Sequence, residues 1–269
     1  MMATHRKVMA MSDDVMVEIQ RDHLLNLILK GEREDGRAFD EFREIDIETD
    51  VIATADGSAR VKLGKTELLV GVKIQPGEPF PDTPDKGVLI TNAELIPLAS
   101  PEFEAGPPRE KAIEIARVVD RGIRESKSID LEKLCITAGE KVWIMFVDIH
   151  VLNNEGNILD AASMGGIAAL LTAKIPMSQY GMGDDIPLPV RDIPVAVTVV
   201  EFGGALLLDP SRTEGAIAST SIIVITNSDG SISGMQKSGS ESLTIEQVLQ
   251  AVDMAKAAAD EIREKFLDV

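Results

Sequence analysis

Cysteine and aromatic residues are scarce in this chain. One cysteine, Cys135, stands among 269 residues, which excludes an internal disulfide and a metal site built from cysteines alone. Aromatic residues make up only 3% of the chain, so few side chains are available for nucleobases to stack on. A lone cysteine between Leu134 and Ile136 fits a small buried residue in a reducing compartment, and we expect a cytoplasmic protein.

Signatures of a membrane segment or a cofactor are also missing. No apolar run approaches the roughly 18 residues of a membrane-spanning helix, and the N-terminal residues lack the apolar core of a signal peptide. Neither a Walker loop nor a dinucleotide fingerprint occurs. The three histidines, His5, His23 and His150, are not spaced for a metal or a catalytic triad. We therefore predict no metal and no cofactor.

Acidic residues outnumber basic residues in this chain. The chain has 45 acidic and 27 basic residues, a formal net charge of −18, and an ordinary hydrophobic fraction of 44%. Such acidity argues against general binding to nucleic acid or to anionic membranes, although a local basic patch is compatible with it. The composition indicates a folded protein, and its length suits one or two domains.

Hydrophobic periodicity predicts a mixed α+β protein. A first helix is capped by Ser12 and ends at Gly31, and from Ile45 the period changes to two. Three antiparallel strands follow, with Asp56-Gly57-Ser58 as a hairpin signal. We predict a tail and helix over residues 1–31, a core subdomain over 32–176, and a smaller subdomain over 190–269, separated by a polar loop near 177–189.

Later elements are predicted by their caps and turns. Pro107-Pro108 opens a helix over residues 109–126, and residues 133–150 have a strand pattern that indicates burial on both faces. A helix rich in alanine and glycine covers residues 159–174. Three further strands and one short final strand lead to a terminal helix, which Thr244 and Gln247 start as a capping box.

Three arginines form the most informative polar set. Arg117, Arg121 and Arg124 are spaced i, i+4, i+7 and so share one stripe of the middle helix, where guanidinium groups could hold phosphates. Ion pairs within the helix are the alternative: Glu114 with Arg117, Asp120 with Arg124, and Arg121 with Glu125. Spacing alone leaves both interpretations open.

Several carboxylates are candidates for acid–base or Mg²⁺ chemistry. They are Asp184, Asp185, Asp209 and Glu214. Carboxylates are abundant in this chain, so composition alone equally allows each of them to be an ordinary surface residue.

Longer motifs give the chain a resemblance to a known family. Its sequence resembles the RNase PH family over about residues 13–267, and most closely the non-catalytic members in the archaeal exosome. The segments that carry this resemblance are Asp35-Gly36-Arg37, Asp40 to Arg43, Gly57 to Gly64, Gly77 to Pro84, Leu98 to Phe103, Gly106 to Ser126 and Lys141-Val142-Trp143. The resemblance implies the RNase PH fold, a core like ribosomal protein S5 domain 2 with a mixed sheet and helices, plus a smaller C-terminal αβ subdomain.

Active members of that family shorten RNA from its 3′ end by phosphorolysis, and this chain departs from them twice. Their phosphate is held by a Gly-Gly-Ser/Thr-Arg stretch, which matches Gly156-Asn157-Ile158-Leu159 here, so Ile158 and Leu159 replace the hydroxyl and the arginine. Their catalytic Glu-Asp pair matches Glu214-Gly215, which leaves Gly215 where an aspartate belongs. Losing such groups is expected to cost about 10²–10³ in rate for each donor.

The resemblance therefore implies a subunit that is not an enzyme by itself. It would pair with a catalytic RNase PH-like exosome subunit, three pairs would close a hexameric ring that carries RNA-binding cap subunits, and single-stranded RNA would reach the partner's active site. Arg117, Arg121 and Arg124 would then hold RNA phosphates, unless Asp120 holds Arg124. Two alternatives stay open: a phosphorolytic exoribonuclease or nucleotidyltransferase that uses Asp209 and Glu214, and a structural partner that does not bind RNA.

Overall fold

The computed structural model describes residues 19–267. The predicted cap at Ser12 and His5 lie outside these residues. Within them, helix α1 covers residues 19–28 and closes through a turn in which the N–H of Gly31 (φ +79°) donates to the carbonyl of Ile28. The predicted end of the first helix is thus confirmed. Leu24 and Ile28 of α1 pack against Phe202 and Leu207.

A large mixed sheet forms the first half of the described chain. Its strand order is β1-β2-β3-β6-β4, with the short β5 on the start of β6, and only β4 runs parallel to its neighbour. The three antiparallel strands predicted at the start are confirmed. The bounds are β1 Ile45–Thr49, β2 Gly57–Leu63, β3 Thr66–Gly77, β4 Val88–Leu95, β5 Cys135–Thr137 and β6 Lys141–Asn153.

A second, antiparallel sheet forms the other half. Its order is β10-β9-β11-β12, and helix α5 covers one of its faces. Thr244 and Gln247 form the predicted capping box at the start of α5. The bounds are β9 Val195–Phe202, β10 Ala205–Leu208, β11 Thr220–Thr226, β12 Ile232–Gly239, α5 Ile245–Ile262 and a π-helical turn Arg263–Leu267; a small hairpin of β7 Lys174–Ile175 and β8 Ile186–Pro187 precedes them.

Two helices lie between the sheets. Helix α2 (Glu110–Glu125) packs on β4, and α3 (Ile158–Thr172) packs on β2 and β3, while both also contact the second sheet. One continuous hydrophobic core spans the inner face of the large sheet, these helices, the second sheet and α5. No described helix is long and apolar enough to cross a membrane.

The structure corrects several details of the sequence interpretation. Gly57 belongs to β2 rather than to a hairpin turn: a Cβ there would lie 2.4 Å from the carbonyl oxygen of Ala169, so the glycine permits close approach of α3. Strand β6 is buried on one face only, because the helices cover one side of the sheet, and Phe146 on the other side is half-buried. Cys135 is also half-buried. Strand β4 and the short helix α4 (Arg212–Ile217) were not predicted.

Candidate functional site

A cleft of about 560 Å³ opens where the N-terminus of α3 meets α2, α4 and the second sheet. It brings together all three positions at which the sequence is predicted to depart from active RNase PH proteins: Ile158, Leu159 and Gly215 line it. The predicted phosphate position and the predicted carboxylate position are therefore neighbours in space, although some 55 residues separate them in the chain.

The first turn of α3 offers the cleft no polar side chain at these positions. Ile158 is buried in the main core, and Leu159 packs with Val118 of α2 and Ile223 of β11. Gly156, at φ +96°, has no space for a Cβ, which would lie 2.4 Å from the backbone nitrogen of Arg212. The local backbone thus brings α3 close to α4, and the side chains of Ile158 and Leu159 pack as hydrophobic residues that offer no hydrogen-bond donor.

Gly215 lies in α4 without a packing reason to be glycine. The nearest atom to a Cβ built at this position is the Cβ of Pro210, at 4.0 Å. A side chain would therefore fit, and its absence leaves this wall of the cleft without a carboxylate.

Asp209, close to the cleft, is a buried carboxylate in ion pairs with two arginines. Its side chain is fully buried, Arg43 donates to it from Nε (2.8 Å) and Nη2 (2.7 Å), and Arg37 donates from Nη1 (3.1 Å). Burial opposes ionisation of this carboxyl, but the hydrogen bonds and charge of Arg43 outweigh burial and keep the pKa of Asp209 below its usual value. A carboxylate bound in this way is not free to act as a general acid.

Glu214 is likewise held in a buried ion pair. Arg33, whose side chain has no exposed surface, binds both its oxygens, with Nε–Oε1 at 2.9 Å and Nη2–Oε2 at 2.7 Å. Glu214 also accepts from the N–H of Ser211 and completes the capping box of α4. Its role in the structure is to fix α4 to the segment around Arg33.

A third buried carboxyl, Asp160, lies behind the cleft. It accepts hydrogen bonds from the N–H (2.9 Å) and hydroxyl (2.6 Å) of Thr198 and from Nδ2 of Asn157 (2.8 Å), which also donates to Asp209. Burial raises the pKa of Asp160 to about 7, although these hydrogen bonds act to lower it. Asn157 therefore links two carboxyls whose pKa values shift in opposite directions.

The arginine stripe lies on a different surface. Arg117 and Arg121 are exposed and form no ion pair within residues 19–267, so the predicted pairs with Glu114 and Glu125 are absent there. Arg124 does pair with Asp120, at 3.0 Å, and it also donates to the carbonyl of Leu89. None of the three lines the cleft; Arg117 lines a groove between α2 and β4.

The remaining candidates form no site. His150 lies 3.3 Å from the exposed Glu94, and Asp185 accepts from the N–H of Ser178. No group of three or more histidines, cysteines or carboxylates in the described part of the chain could hold a metal ion.

Sequence reasoning missed the residues that organise this region. The sequence pattern around Arg33, Arg37 and Arg43 predicts only a charged, extended segment. In the structure these arginines bind carboxylates some 165–180 residues later in the chain. The one available signal was the recurrence of arginine in a segment that carries the family resemblance.

Comparison with protein families gives two matches. A model of the 3′ exoribonuclease family, domain 1, matches residues 41–176, and the domain 2 model of that family matches residues 192–258. The matched regions end and begin on either side of the loop predicted to separate two subdomains. The subdomain limits themselves stay a prediction.

Named relatives agree with the family matches. The chain is 60% identical over 256 residues to "Exosome complex component Rrp42" of Methanocella arvoryzae, covering 95% of this chain and 98% of the relative. It is 52% identical over 259 residues to the protein of that name from Archaeoglobus fulgidus, covering 96% and 100%.

Solved structures of similar fold are also known. A chain of the Archaeoglobus fulgidus exosome with RNA bound to the active site aligns with a TM-score of 0.91 and 53% identity, covering 94% of this chain and 99% of that one. A chain of an archaeal exosome core aligns with a TM-score of 0.88 and 49% identity, covering 95% and 99%. Rice Rrp46, 18% identical with a TM-score of 0.67, shares the fold.

Proposed function

The chain belongs to the 3′ exoribonuclease (RNase PH) family, and from that premise we propose that it is the non-catalytic, RNA-holding subunit of an archaeal exosome ring. In this proposal it pairs with a catalytic RNase PH-like subunit, and three such pairs close a hexameric ring in the cytoplasm. Cap subunits that bind RNA sit on the ring. Single-stranded RNA then reaches active sites that the partner chain supplies and this chain helps to shape.

One observation carries the non-catalytic part of the proposal. At the positions that correspond to a phosphorolytic site, the cleft is lined by Ile158, Leu159 and Gly215, which supply neither a side-chain donor for phosphate nor a carboxylate. Phosphorolysis needs both, because an anionic nucleophile must be held and the leaving oxygen must be assisted. The charged side chains elsewhere in its lining have other partners: Arg212 pairs with Glu102 at 2.8 Å, Gln236 donates to Glu114, and Lys111 lies over the ring of Phe103. With neither group at the corresponding positions, the cleft is not expected to support the reaction.

The engaged carboxylates argue against the catalytic alternative. That alternative requires Asp209 or Glu214 to replace the missing groups, but each is buried in ion pairs with arginines. Freeing either carboxylate would leave a buried guanidinium unpaired, at a cost of several kcal/mol, about 3–5 for a broken buried pair.

The exposed arginines support the RNA-holding part. Arg117 and Arg121 carry two guanidinium groups on one helix stripe, and neither is neutralised by a described carboxylate. Guanidinium groups suit phosphate oxygens, which they bind in a bidentate way. Because Asp120 holds Arg124, we assign Arg124 the smallest share of RNA binding.

RNA binding by the reconstituted complex tests this assignment. The double variant Arg117→Ala/Arg121→Ala should bind an oligoadenylate at least tenfold more weakly at 100 mM salt. The slope of log affinity against log salt should fall by about 0.7 for each RNA phosphate that the variant no longer binds. A matched control, Lys30→Ala/Lys174→Ala, removes two exposed charges from other elements and should change neither quantity. Equal behaviour of the two double variants would instead support a structural partner that does not bind RNA.

A further inference from the structure

Two buried carboxyls are joined by a single amide at the start of α3. The Nδ2 group of Asn157 donates to Asp160 and to Asp209, in each case at 2.8 Å. Both Asn157 and Asp209 have a left-handed backbone conformation, at φ +52° and +45°, which residues other than glycine adopt only when the surrounding structure supports it. These two backbone turns bring the carboxyl of α3 and the carboxyl of the second sheet to the same amide.

The side chain of Asp160 attaches α3 to strand β9. Strand β10 pairs with β9 only as far as Leu208, which lies opposite Val199. At the next position the N–H of Thr198 donates to Asp160, and the carbonyl of Thr198 accepts from the N–H of Asp209. Asp160 thus supplies the acceptor that a longer β10 would supply, and the contact between α3 and the second sheet depends on it.

The hydrogen bonds determine which oxygen of Asp160 can hold a proton. Oδ2 accepts from two N–H groups, those of Thr198 and Asn157, whereas Oδ1 contacts only the Thr198 hydroxyl, at 2.6 Å. A proton on Oδ1 donates to that hydroxyl oxygen, which frees the hydroxyl hydrogen to turn towards the cleft that Thr198 lines. Without the proton, the hydroxyl donates to Asp160 instead.

The surroundings of Asp160 do not favour its charged form. Arg43 acts on Asp160 through its charge, but its hydrogen bonds to a carboxylate go to Asp209. An ionised Asp160 would therefore be a buried charge without an ion pair in residues 19–267, and it would repel Asp209. Nearby α4 presents Glu214, which Arg33 binds. The large sheet and α2 present buried apolar residues to α3, among them Val61, Val70, Ile115 and Val119.

We propose that Asp160 and Asp209, joined through Asn157, form a proton-sensitive fastening between α3 and the second sheet. While Asp160 carries a proton, the fastening holds one negative charge, which Arg37 and Arg43 neutralise at Asp209. When Asp160 ionises, two buried carboxylates share one amide, the contact between α3 and β9 loosens, and the wall of the cleft changes. Burial places this change close to neutral pH, because it raises the pKa of Asp160 to about 7.

Carbon NMR of the full chain with labelled aspartate carboxyls tests the proton. The resonance that Asp160→Asn removes should titrate at about pH 7, where ordinary aspartates are fully ionised. Thr198→Val removes a hydroxyl that stabilises the charged form, so it should raise the midpoint by about one pH unit, whereas Thr198→Ser keeps the hydroxyl and should titrate as the parent does. An Asp160 resonance without a midpoint above pH 5.5, or equal midpoints for the two Thr198 variants, would overturn the proposal.

Hydrogen exchange tests the loosening. The amides of Thr198 and Ala161, corrected for the pH dependence of chemical exchange, should exchange about tenfold faster at pH 8.5 than at pH 6. Asp160→Asn should abolish this difference, because its carbonyl oxygen can replace Oδ2 and its NH₂ group can replace the protonated Oδ1. The matched control Asp253→Asn, at an exposed position of α5, should keep the difference. Equal corrected rates at both pH values in the parent would overturn the fastening even if Asp160 titrates.

These experiments use neither RNA nor a partner subunit, so the inference stands apart from the proposed function. Absence of the fastening would leave the proposed function intact. Phosphorolysis by the chain alone would overturn the proposed function and leave the fastening intact.

Discussion

The cleft at the start of α3 and the exposed face of α2 differ in whether their charged side chains are paired. Around the cleft, Asp209 and Glu214 are buried and bound by arginines, and the positions that should hold phosphate are apolar. On α2, Arg117 and Arg121 are exposed without a carboxylate partner in residues 19–267. The carboxylates beside the cleft are thus held in buried ion pairs, whereas Arg117 and Arg121 of α2 present guanidinium groups to solvent.

Removing one member of a buried ion pair beside the cleft should have the largest effect on stability. Arg33→Ala should lower the free energy of unfolding by about 3–5 kcal/mol, because Glu214 is left as a buried charge without its partner. Urea denaturation measures the effect. Arg60→Ala, which removes a more exposed pair with Glu67, should change the free energy of unfolding much less, because solvent screens this pair. A similar small loss for both variants would mean that the Arg33–Glu214 pair does not hold α4.

The buried carboxyl of Asp160 makes the stability of the fold depend on pH. Its folded-state pKa of about 7 exceeds the unfolded value of 3.8, so the folded state retains a proton that the unfolded state loses between these values. The contribution of Asp160 is fully present below pH 3.8 and is lost as pH rises towards 7. The loss is at most about 4 kcal/mol.

Asp160→Asn should remove that slope. The amide keeps an oxygen for the N–H of Thr198 and cannot ionise, so the variant should gain stability relative to the parent as pH rises from 4 to 8. Denaturation at a series of pH values measures this. Asp253→Asn, at an exposed position of α5, is the matched control and should follow the parent curve. Parallel curves for Asp160→Asn and the parent would contradict the buried, protonated carboxyl.

Single variants distinguish the exposed arginines of α2 from the one that is held in an ion pair. Arg117→Ala should weaken RNA binding by the complex about three- to tenfold, since its guanidinium is free to contact phosphate. Arg124→Ala should change RNA affinity less than twofold, because Arg124 is engaged with Asp120 and the carbonyl of Leu89. Fluorescence anisotropy with labelled oligoadenylate distinguishes the two. The reverse order would mean that the Asp120–Arg124 pair opens when RNA binds.

Local features of this fold could be predicted from sequence. Thr244 and Gln247 identify the start of α5, Gly31 identifies the end of α1, and the spacing of Asp120 and Arg124 gives their ion pair. Each depends on residues close in the chain, where helix geometry fixes the distance between side chains.

Features that depend on tertiary packing could not be predicted in this way. Gly57 has the sequence context of a turn, but its need for glycine comes from α3, more than 100 residues later. Arg33 and Arg43 show no local pattern that names Glu214 and Asp209 as partners. The family resemblance located Ile158, Leu159 and Gly215, and only the structure shows that they line one cleft.

Release of nucleoside diphosphate from an oligoadenylate, with phosphate and Mg²⁺ present, tests directly whether this chain is catalytic by itself. The purified chain alone should release none above a no-protein control, and the mixture with its catalytic RNase PH-like partner should release it in a phosphate-dependent way. Phosphate-dependent release by the chain alone, in a preparation free of contaminating nuclease and abolished by Asp209→Asn, would contradict the claim that this chain is not catalytic by itself.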